Sequence, residues 1–237
     1  MKLAVLIPTY QRSDGKTPFY LKRAIDSVME QHHQDFKIFV IGDRYENNLE
    51  FESILSQYDK DKLEYINLPI ALERDAYGHN KLALWNYGGV NANNVGVEMI
   101  LKQGLKYVCH LDHDDRWAKR HLKAINDCIE STGADFICTK STYKDVGTLP
   151  QLYTDKKFVK ISPRPETLIH SSTCINFETI HFRYRDLFTE RGSVGMPSDA
   201  DMWLRIGAYV DILPQINAYM VNEVTCMHDE EGFERLK

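Results

Sequence analysis

Lys106-Tyr-Val-Cys-His-Leu-Asp-His-Asp-Asp115 holds a short, mostly apolar run, Tyr107 to Leu111, that ends in three acids within four positions: Asp112, Asp114 and Asp115. A brief run without polar alternation predicts a strand buried on both faces, as in a parallel sheet covered by helices. Carboxylates that close repel one another, and each is driven to bind a proton unless positive charge sits among them. A hard divalent cation, Mg²⁺ or Mn²⁺, meets that need, because it takes oxygen ligands and shares them with substrate phosphates. The ends of strands in open α/β sheets are also where ligands bind. A polar loop of solvated acids would show the same spacing. His113 reads as a spacer between ligands, since carboxylates suit a hard ion better than imidazole.

Working outward, the chain alternates strand and helix. Leu3 to Ile7 is an apolar run ending at Pro8, a buried first strand, followed by the loop Thr9-Tyr10-Gln11-Arg12. Leu21, Ala24, Ile25, Val28 and Met29 recur at helical spacing, which predicts a helix over about 18–33. Further strands are expected over 36–41 and 63–68, with a helix between them over 49–58. Residues 69–90, rich in glycine, read as a long functional loop or short helical turns. A helix over 91–103 leads to the acidic strand, then come a helix over 117–131 and a strand from 135. Beyond residue 140 the pattern weakens. A strand is expected over 173–177, a helix over 178–188, a flexible loop over 191–197, a helix from Asp199 to Tyr209 and a last strand from Ala218 to Met227. Alternation of this kind implies right-handed crossovers and a mostly parallel central sheet flanked by helices.

Composition narrows the function classes. The 237 residues suit one domain, read here as a nucleotide-binding half to about 115 and an acceptor-binding half from about 116. A net charge of −5 leaves no broad cationic excess for a nucleic acid or an anionic membrane. No apolar stretch approaches the roughly 20 residues of a transmembrane helix, and Leu3 to Ile7 is too short for a signal peptide. Cys109, Cys128, Cys138, Cys174 and Cys226 are odd in number, widely spaced and without a CxxC pair. They read as reduced thiols of a cytoplasmic protein.

Four segments, in order, resemble the nucleotide-diphospho-sugar glycosyltransferases of family 2, which have the GT-A fold. They are Leu6-Ile-Pro-Thr-Tyr-Gln-Arg12, Val40-Ile-Gly-Asp43, Leu111-Asp-His-Asp-Asp115 and Ser198-Asp-Ala-Asp-Met-Trp-Leu-Arg205, with Asn94-Val-Gly96 similar to the family's Asn-x-Gly. The matches span about residues 3–228. Gly42 stands where a second acid is usual, Asn93 where an Arg is common, and Ser198 where a Glu is usual.

The resemblance implies an inverting, metal-dependent transfer of a sugar from a nucleotide diphosphate, UDP-sugars first among the donors, to a hydroxyl of a glycan or other acceptor. Asp112, Asp114 and Asp115 would hold the metal, with Asp114 the principal ligand and Asp112 facing ribose or metal. His228 would complete the metal site, although a surface His would read the same way. Pro8, Thr9, Tyr10, Arg12, Asp43, Asn94, Asp112 and His113 would bind the nucleotide. Asp199 would be the general base, at a position where an Asp is also a good helix cap. Asp201 would steady the same turn and pair with Arg205 at i+4. Trp85 is a candidate for the sugar or acceptor side, whereas Trp117 and Trp203 read as packing residues. Two other readings stay open. A sugar-phosphate nucleotidyltransferase would carry a Gly-rich basic loop after the first strand, where this chain has only Gly15. A non-catalytic sugar- or nucleotide-binding domain would have no use for the acids at 112, 114, 115 and 199.

Overall fold

Leu3–Thr9 forms strand β1, and each residue from Leu3 to Ile7 is fully buried. The computed structural model of the chain describes residues 1–143, 146–165, 167–188 and 195–228. After β1, helix α1 (Thr17–Met29) starts with a proline in its first turn and lays Leu21, Ala24, Ile25 and Val28 against the sheet. Strand β2 (Phe36–Gly42) is followed by α2 (Asn48–Leu55), whose N-terminus is capped by the Asn47 side chain, and by β3 (Leu63–Asn67). The irregular stretch resolves into two short helices, α3 (Leu72–Tyr77) and α4 (Lys81–Tyr87), before the longer α5 (Val90–Lys102). Strand β4 (Tyr107–His110) is buried throughout.

These four strands lie in the order β3-β2-β1-β4, all parallel. The chain builds outward from β1 to β3, then returns to the other side of β1 for β4. The crevice between the carboxyl ends of β1 and β4 is therefore a topological switch point, the place where doubly wound sheets bind ligands. Helix α5 reaches this crevice by lying close on the sheet. A Cβ on Gly96 would stand 2.2 Å from Leu6 Cδ1 and 3.0 Å from Ile41 Cγ1. That is why a glycine follows Asn94 and Val95.

The second half continues the same sheet. It contains β5 (Arg116–Trp117), α6 (His121–Thr132), β6 (Phe136–Tyr143), β7 (Gly147–Leu149), β8 (Phe158–Lys160), a 3-10 turn (His170–Ser172), β9 (Thr173–Asn176), α7 (Ser198–Ile212) and β10 (Ala218–Met227). The sheet order runs on from β4 through β9, β6, β10 and β5. Here the parallel character gives way: β9 is antiparallel to both β4 and β6, while β6 and β10 run parallel. One apolar layer packs α1, α2 and α6 on one face of the sheet, and a second packs α4, α5 and α7 on the other. The result is a mixed α/β fold with a central sheet between helices.

Two expected helices differ. The one expected from residue 117 starts only at His121, because Arg116 and Trp117 pair with Met227 and Cys226 of β10. The one expected over 178–188 is absent. Its apolar residues Ile180, Phe182 and Tyr184 recur every second position, with exposed His181 and Arg183 between them, so the periodicity is that of an extended chain. Asn94 on α5 fixes it there, its Nδ2 donating to the Tyr184 carbonyl and its Oδ1 accepting from the Tyr184 N–H, both at 3.0 Å. Of the loop expected over 191–197, residues 191–194 lie outside the described residues, as does the acidic run after His228.

Candidate active site

The acids after β4 sit on a tight turn, closed by the Asp115 N–H donating to the Asp112 carbonyl at 3.0 Å. The turn sends the three side chains in different directions, and each meets its own basic partner. Asp112 Oδ1 is 3.0 Å from His170 Nδ1. Asp114 accepts from Arg12 Nη1 at 3.4 Å, while Arg23 Nη2 donates to the Asp114 carbonyl at 2.5 Å. Asp115 is fully buried, accepts from the Ser171 hydroxyl at 2.5 Å and faces His228 Nδ1 at 3.0 Å. Like charge that close requires such neutralisation.

The titration follows from these contacts. Burial alone would raise Asp112, but the charge and hydrogen bond of His170, with His228 and His113 nearby, together outweigh it and hold the carboxyl far below the usual carboxylate range. Burial would likewise lower His170, and Asp112 reverses the sign, so His170 is raised. For Asp115 burial wins and the carboxyl is raised. His228 is pushed down by burial and up by Asp115, with a net rise to about 9. Its ring also stacks nearly parallel on Tyr143, 5.4 Å between centroids.

Asp199 comes from a different element. It lies in the first turn of α7, with its Oδ1 accepting from the Ala200 N–H at 2.7 Å. Burial raises its carboxyl, an effect His170 partly offsets. Asp112, Asp199, His170 and His228 line one chamber of about 640 Å³. Asp201, two positions on, is buried and held by Arg185 and by Arg205, the latter at 2.8 Å. It fastens the start of α7 to the extended segment that carries Arg185.

The first two strands form the other end of the site. The Asp43 N–H donates to the Thr9 carbonyl at 2.7 Å, which ties the ends of β1 and β2. Arg74 on α3 donates to Asp43 Oδ2 at 2.9 Å and lies 5.3 Å over the Tyr10 ring. Tyr10 meets His113 edge-on at 5.4 Å. Among the described residues, Asp43 Oδ1 and Thr9 Oγ1 are buried without a hydrogen-bond partner, and burial raises the Asp43 carboxyl. Arg12 is placed by its own N–H, which donates to Thr17 Oγ1 at 2.9 Å. Pro8 lies within β1, opposite Ile41.

The structure thus gathers Thr9, Tyr10, Arg12, Asp43, His113 and Asp114 at the switch point, and Asp112, Asp199 and His228 in the adjoining chamber. Asn94 is an exception. Both ends of its amide are spent on Tyr184, so it positions the chamber wall rather than reaching into the site. Sequence reasoning missed Arg74, His170, Ser171 and Tyr184. The Tyr184 hydroxyl stands 2.9 Å from His170 Nε2 and backs the Asp112–His170 pair. None of these residues lies in a recognisable motif, and each is defined by a partner far along the chain.

Among the described residues, no three His, Cys, Asp or Glu side chains are grouped as a resident metal ion requires. An ion that arrives with a nucleotide needs less: one or two protein donors, with phosphates and water completing its shell. Asp112 and His228 both face the chamber and fit that role. His228 meets Asp115 through Nδ1, which puts Nε2 on the far side of the ring. In this arrangement Asp114 is committed to Arg12, and Asp115 is buried behind His228. Of the expected ligand set of Asp112, Asp114, Asp115 and His228, it is Asp112 and His228 that line the chamber in this arrangement.

No family model matches the sequence. An uncharacterized glycosyltransferase of Acanthamoeba polyphaga mimivirus, R139, is 34% identical over 239 residues, covering 98% of this chain and 95% of the viral protein. The succinoglycan biosynthesis protein ExoW of Rhizobium meliloti is 31% identical over 122 residues, 51% of this chain and 32% of its own length. Among solved structures, residues 1–349 of S. aureus TarS in complex with UDP align over the whole chain with a TM-score of 0.67 at 15% identity, and this chain spans 63% of that fragment. The mannosyltransferase PcManGT of Pyrobaculum calidifontis, in complex with GDP-Man and Mn²⁺, aligns over 99% of this chain and 59% of its own, with a TM-score of 0.58 at 12% identity. The switch-point crevice, the acids on the turn after β4 and the full-length likeness to the viral protein lead to one conclusion: this chain belongs to the glycosyltransferases, as a nucleotide-sugar transferase of the family 2 type with a GT-A-like fold.

Proposed function

We propose that the protein transfers a sugar from a nucleotide diphosphate, with UDP-sugars the first candidates, to an acceptor hydroxyl by single displacement with inversion at the anomeric carbon. The observation that carries this reading is that Asp112, on the turn after β4, and Asp199, at the start of α7, line one chamber. The nucleotide lies over Thr9, Tyr10 and Arg12, and the unpartnered Asp43 Oδ1 accepts a hydrogen bond from base or ribose. The sugar then enters the chamber between the two acids.

Asp199 acts as the base. Of the two chamber carboxylates, Asp112 is tied to His170, which leaves Asp199 to receive a proton. Burial raises Asp199 toward working pH, as a general base needs. The acceptor oxygen forms its bond to the anomeric carbon as its proton passes to Asp199, and the bond from that carbon to the diphosphate oxygen breaks, with the electron pair leaving on the nucleotide. Mn²⁺ or Mg²⁺, held by Asp112 and His228 and the phosphates, would supply Lewis-acid stabilisation of the leaving diphosphate. Arg12, beside Asp114, contributes fixed positive charge at the same end. The 1–115 and 116–237 halves of one domain divide the labour, nucleotide against acceptor. All five cysteines are free and buried, and the cytoplasmic setting expected from their number and spacing belongs to this proposal.

The test is release of nucleotide diphosphate from a panel of UDP- and GDP-sugars, with and without Mn²⁺, alongside nucleotide binding by calorimetry. Release with at least one donor is the expected result. Absence of both release and nucleotide binding would overturn the reading.

A further inference from the structure

His170 stands between two partners, and each takes a different nitrogen of its ring. Nδ1 meets Asp112 Oδ1 at 3.0 Å, and Nε2 meets the Tyr184 hydroxyl at 2.9 Å. Turning the ring over would put carbons where the two nitrogens stand, so the two contacts together fix its orientation. A hydroxyl both donates and accepts, and it therefore serves the ring in either tautomer or with both nitrogens protonated. Other rings pack around it. The His110 ring lies 4.7 Å away and the Trp203 ring 6.1 Å, and Tyr184 meets it edge-on at 5.6 Å. A side chain enclosed by close-packed neighbours keeps one rotamer.

Tyr184 is fixed in turn. Its backbone N–H and carbonyl are both held by Asn94 of α5, and α5 lies close on the sheet at Gly96. The hydroxyl behind His170 is thus carried on the framework of the fold.

Asp112 is the end of this chain of contacts that reaches the ligand. Its side chain is 36% exposed and lines the chamber, whereas Tyr184 is 3% exposed. The Asp112 N–H donates to Ser171 Oγ at 2.9 Å, so adjacent residues of one 3-10 turn grip its backbone and its side chain. With both held, few rotamers remain, and Oδ2 is offered in one direction. A carboxylate ordered beforehand does not have to be ordered when an ion arrives.

We propose, resting on the metal-assisted transfer proposed above, that His170 and Tyr184 are positioning residues. Tyr184 orients His170, His170 orients Asp112, and this alignment sets how tightly a nucleotide-bound Mn²⁺ or Mg²⁺ is held.

The test uses the full chain with UDP, or with GDP where UDP does not bind. Free Mn²⁺ is counted by electron paramagnetic resonance in the presence of the nucleotide, and nucleotide affinity is measured separately in EDTA. Tyr184→Phe removes a single oxygen. It should raise the Kd for Mn²⁺ about tenfold and leave nucleotide affinity in EDTA within about twofold of wild type, as for the loss of a partner behind a metal ligand. His170→Asn, whose amide still has a donor for Asp112, should bind Mn²⁺ more tightly than His170→Ala. In the His170→Asn background Tyr184→Phe should add nothing, because the shorter amide does not reach the hydroxyl. An unchanged Kd for Mn²⁺ in Tyr184→Phe overturns the proposal. So does an equal loss of Mn²⁺ affinity and of nucleotide affinity in EDTA, which is a general loosening of the site, or a full further loss in the His170→Asn background. If Mn²⁺ joins the wild type and Tyr184→Phe alike, only the positioning role falls. If the wild type binds no nucleotide, or binds it without taking up Mn²⁺, the metal-assisted reading falls and the positioning role falls with it.

Discussion

Asp199 and Asp112 carry the same functional group and meet opposite fates because their neighbours differ. Asp112 has the His170 ring in direct contact and its carboxyl is held low, whereas Asp199 has a backbone N–H and only a partial offset from His170, and burial raises it. Environments that push two carboxyls apart mark one as a charge holder and the other as a proton acceptor. Asp199→Asn keeps size and hydrogen bonding but removes basicity. It should lower turnover by about 10²-fold or more with donor affinity little changed, as steady-state kinetics and calorimetry would read. Wild-type turnover would remove Asp199 from the role. His228 makes a second prediction. Raised to about 9 by Asp115, it is protonated at neutral pH in this arrangement. A metal ligand must be neutral, so binding of Mn²⁺ with UDP at pH 7.5 should release a proton. Calorimetry in buffers of different ionisation enthalpy checks this, and His228→Gln should abolish the release. At this scale the sequence revealed the acids, Arg12 and Asp43, because each sits at the end of an apolar run. His170 and Arg74 were illegible, since what defines each is a partner more than thirty residues away.

Single elements show why some motif positions matter without touching a ligand. Gly96 lets α5 lie on Leu6 and Ile41. Gly96→Ala should destabilise the fold by about 1–3 kcal/mol, measured by denaturant titration, because overpacked cores rarely yield without shifting backbone. Asn94 in the same motif substitutes for a neighbouring strand, giving Tyr184 both its backbone hydrogen bonds. The helix expected over 178–188 failed on that account: local apolar content was read correctly, but its period was two. Helix α3 offers a pH test. Glu73 is buried, with Oε1 accepting from the Asn91 N–H at 3.0 Å, at the start of α5. Burial, reinforced by Asp43, raises its carboxyl to about 7. The folded state therefore holds this proton more tightly than the unfolded chain, and stability falls as pH rises from about 4.5 through about 7. Glu73→Gln keeps the acceptor oxygen and removes the charge. The variant should gain up to roughly 3 kcal/mol over wild type at pH 8 and nothing at pH 4. Equal melting-temperature differences at both values would show that Glu73 does not titrate as described.

For the whole molecule, the parallel half was readable from its regular alternation, and the order β3-β2-β1-β4 follows from short right-handed crossovers. The mixed half was not, because its strands are short, its connections long, and its pairings span up to about a hundred residues. No helix among the described residues is long and apolar enough to cross a membrane. A ligand seated across the two halves should stabilise both together. UDP with Mn²⁺ should therefore raise the melting temperature in a single transition, by an amount that grows with the logarithm of ligand concentration. Two separate transitions, only one of them ligand-dependent, would mean the halves unfold independently.

Strand β9 runs against β4, so it meets the crevice with its beginning, and His170 and Ser171 arrive just before the strand starts. The residues that clamp the acidic turn thus hang on the final few positions of a long, weakly patterned connection, while the acids themselves hang on a rigid parallel strand. Lineages can lengthen, shorten or rewrite that connection without disturbing β1 or β4. Donor handling and acceptor preference can then drift at different rates within one fold.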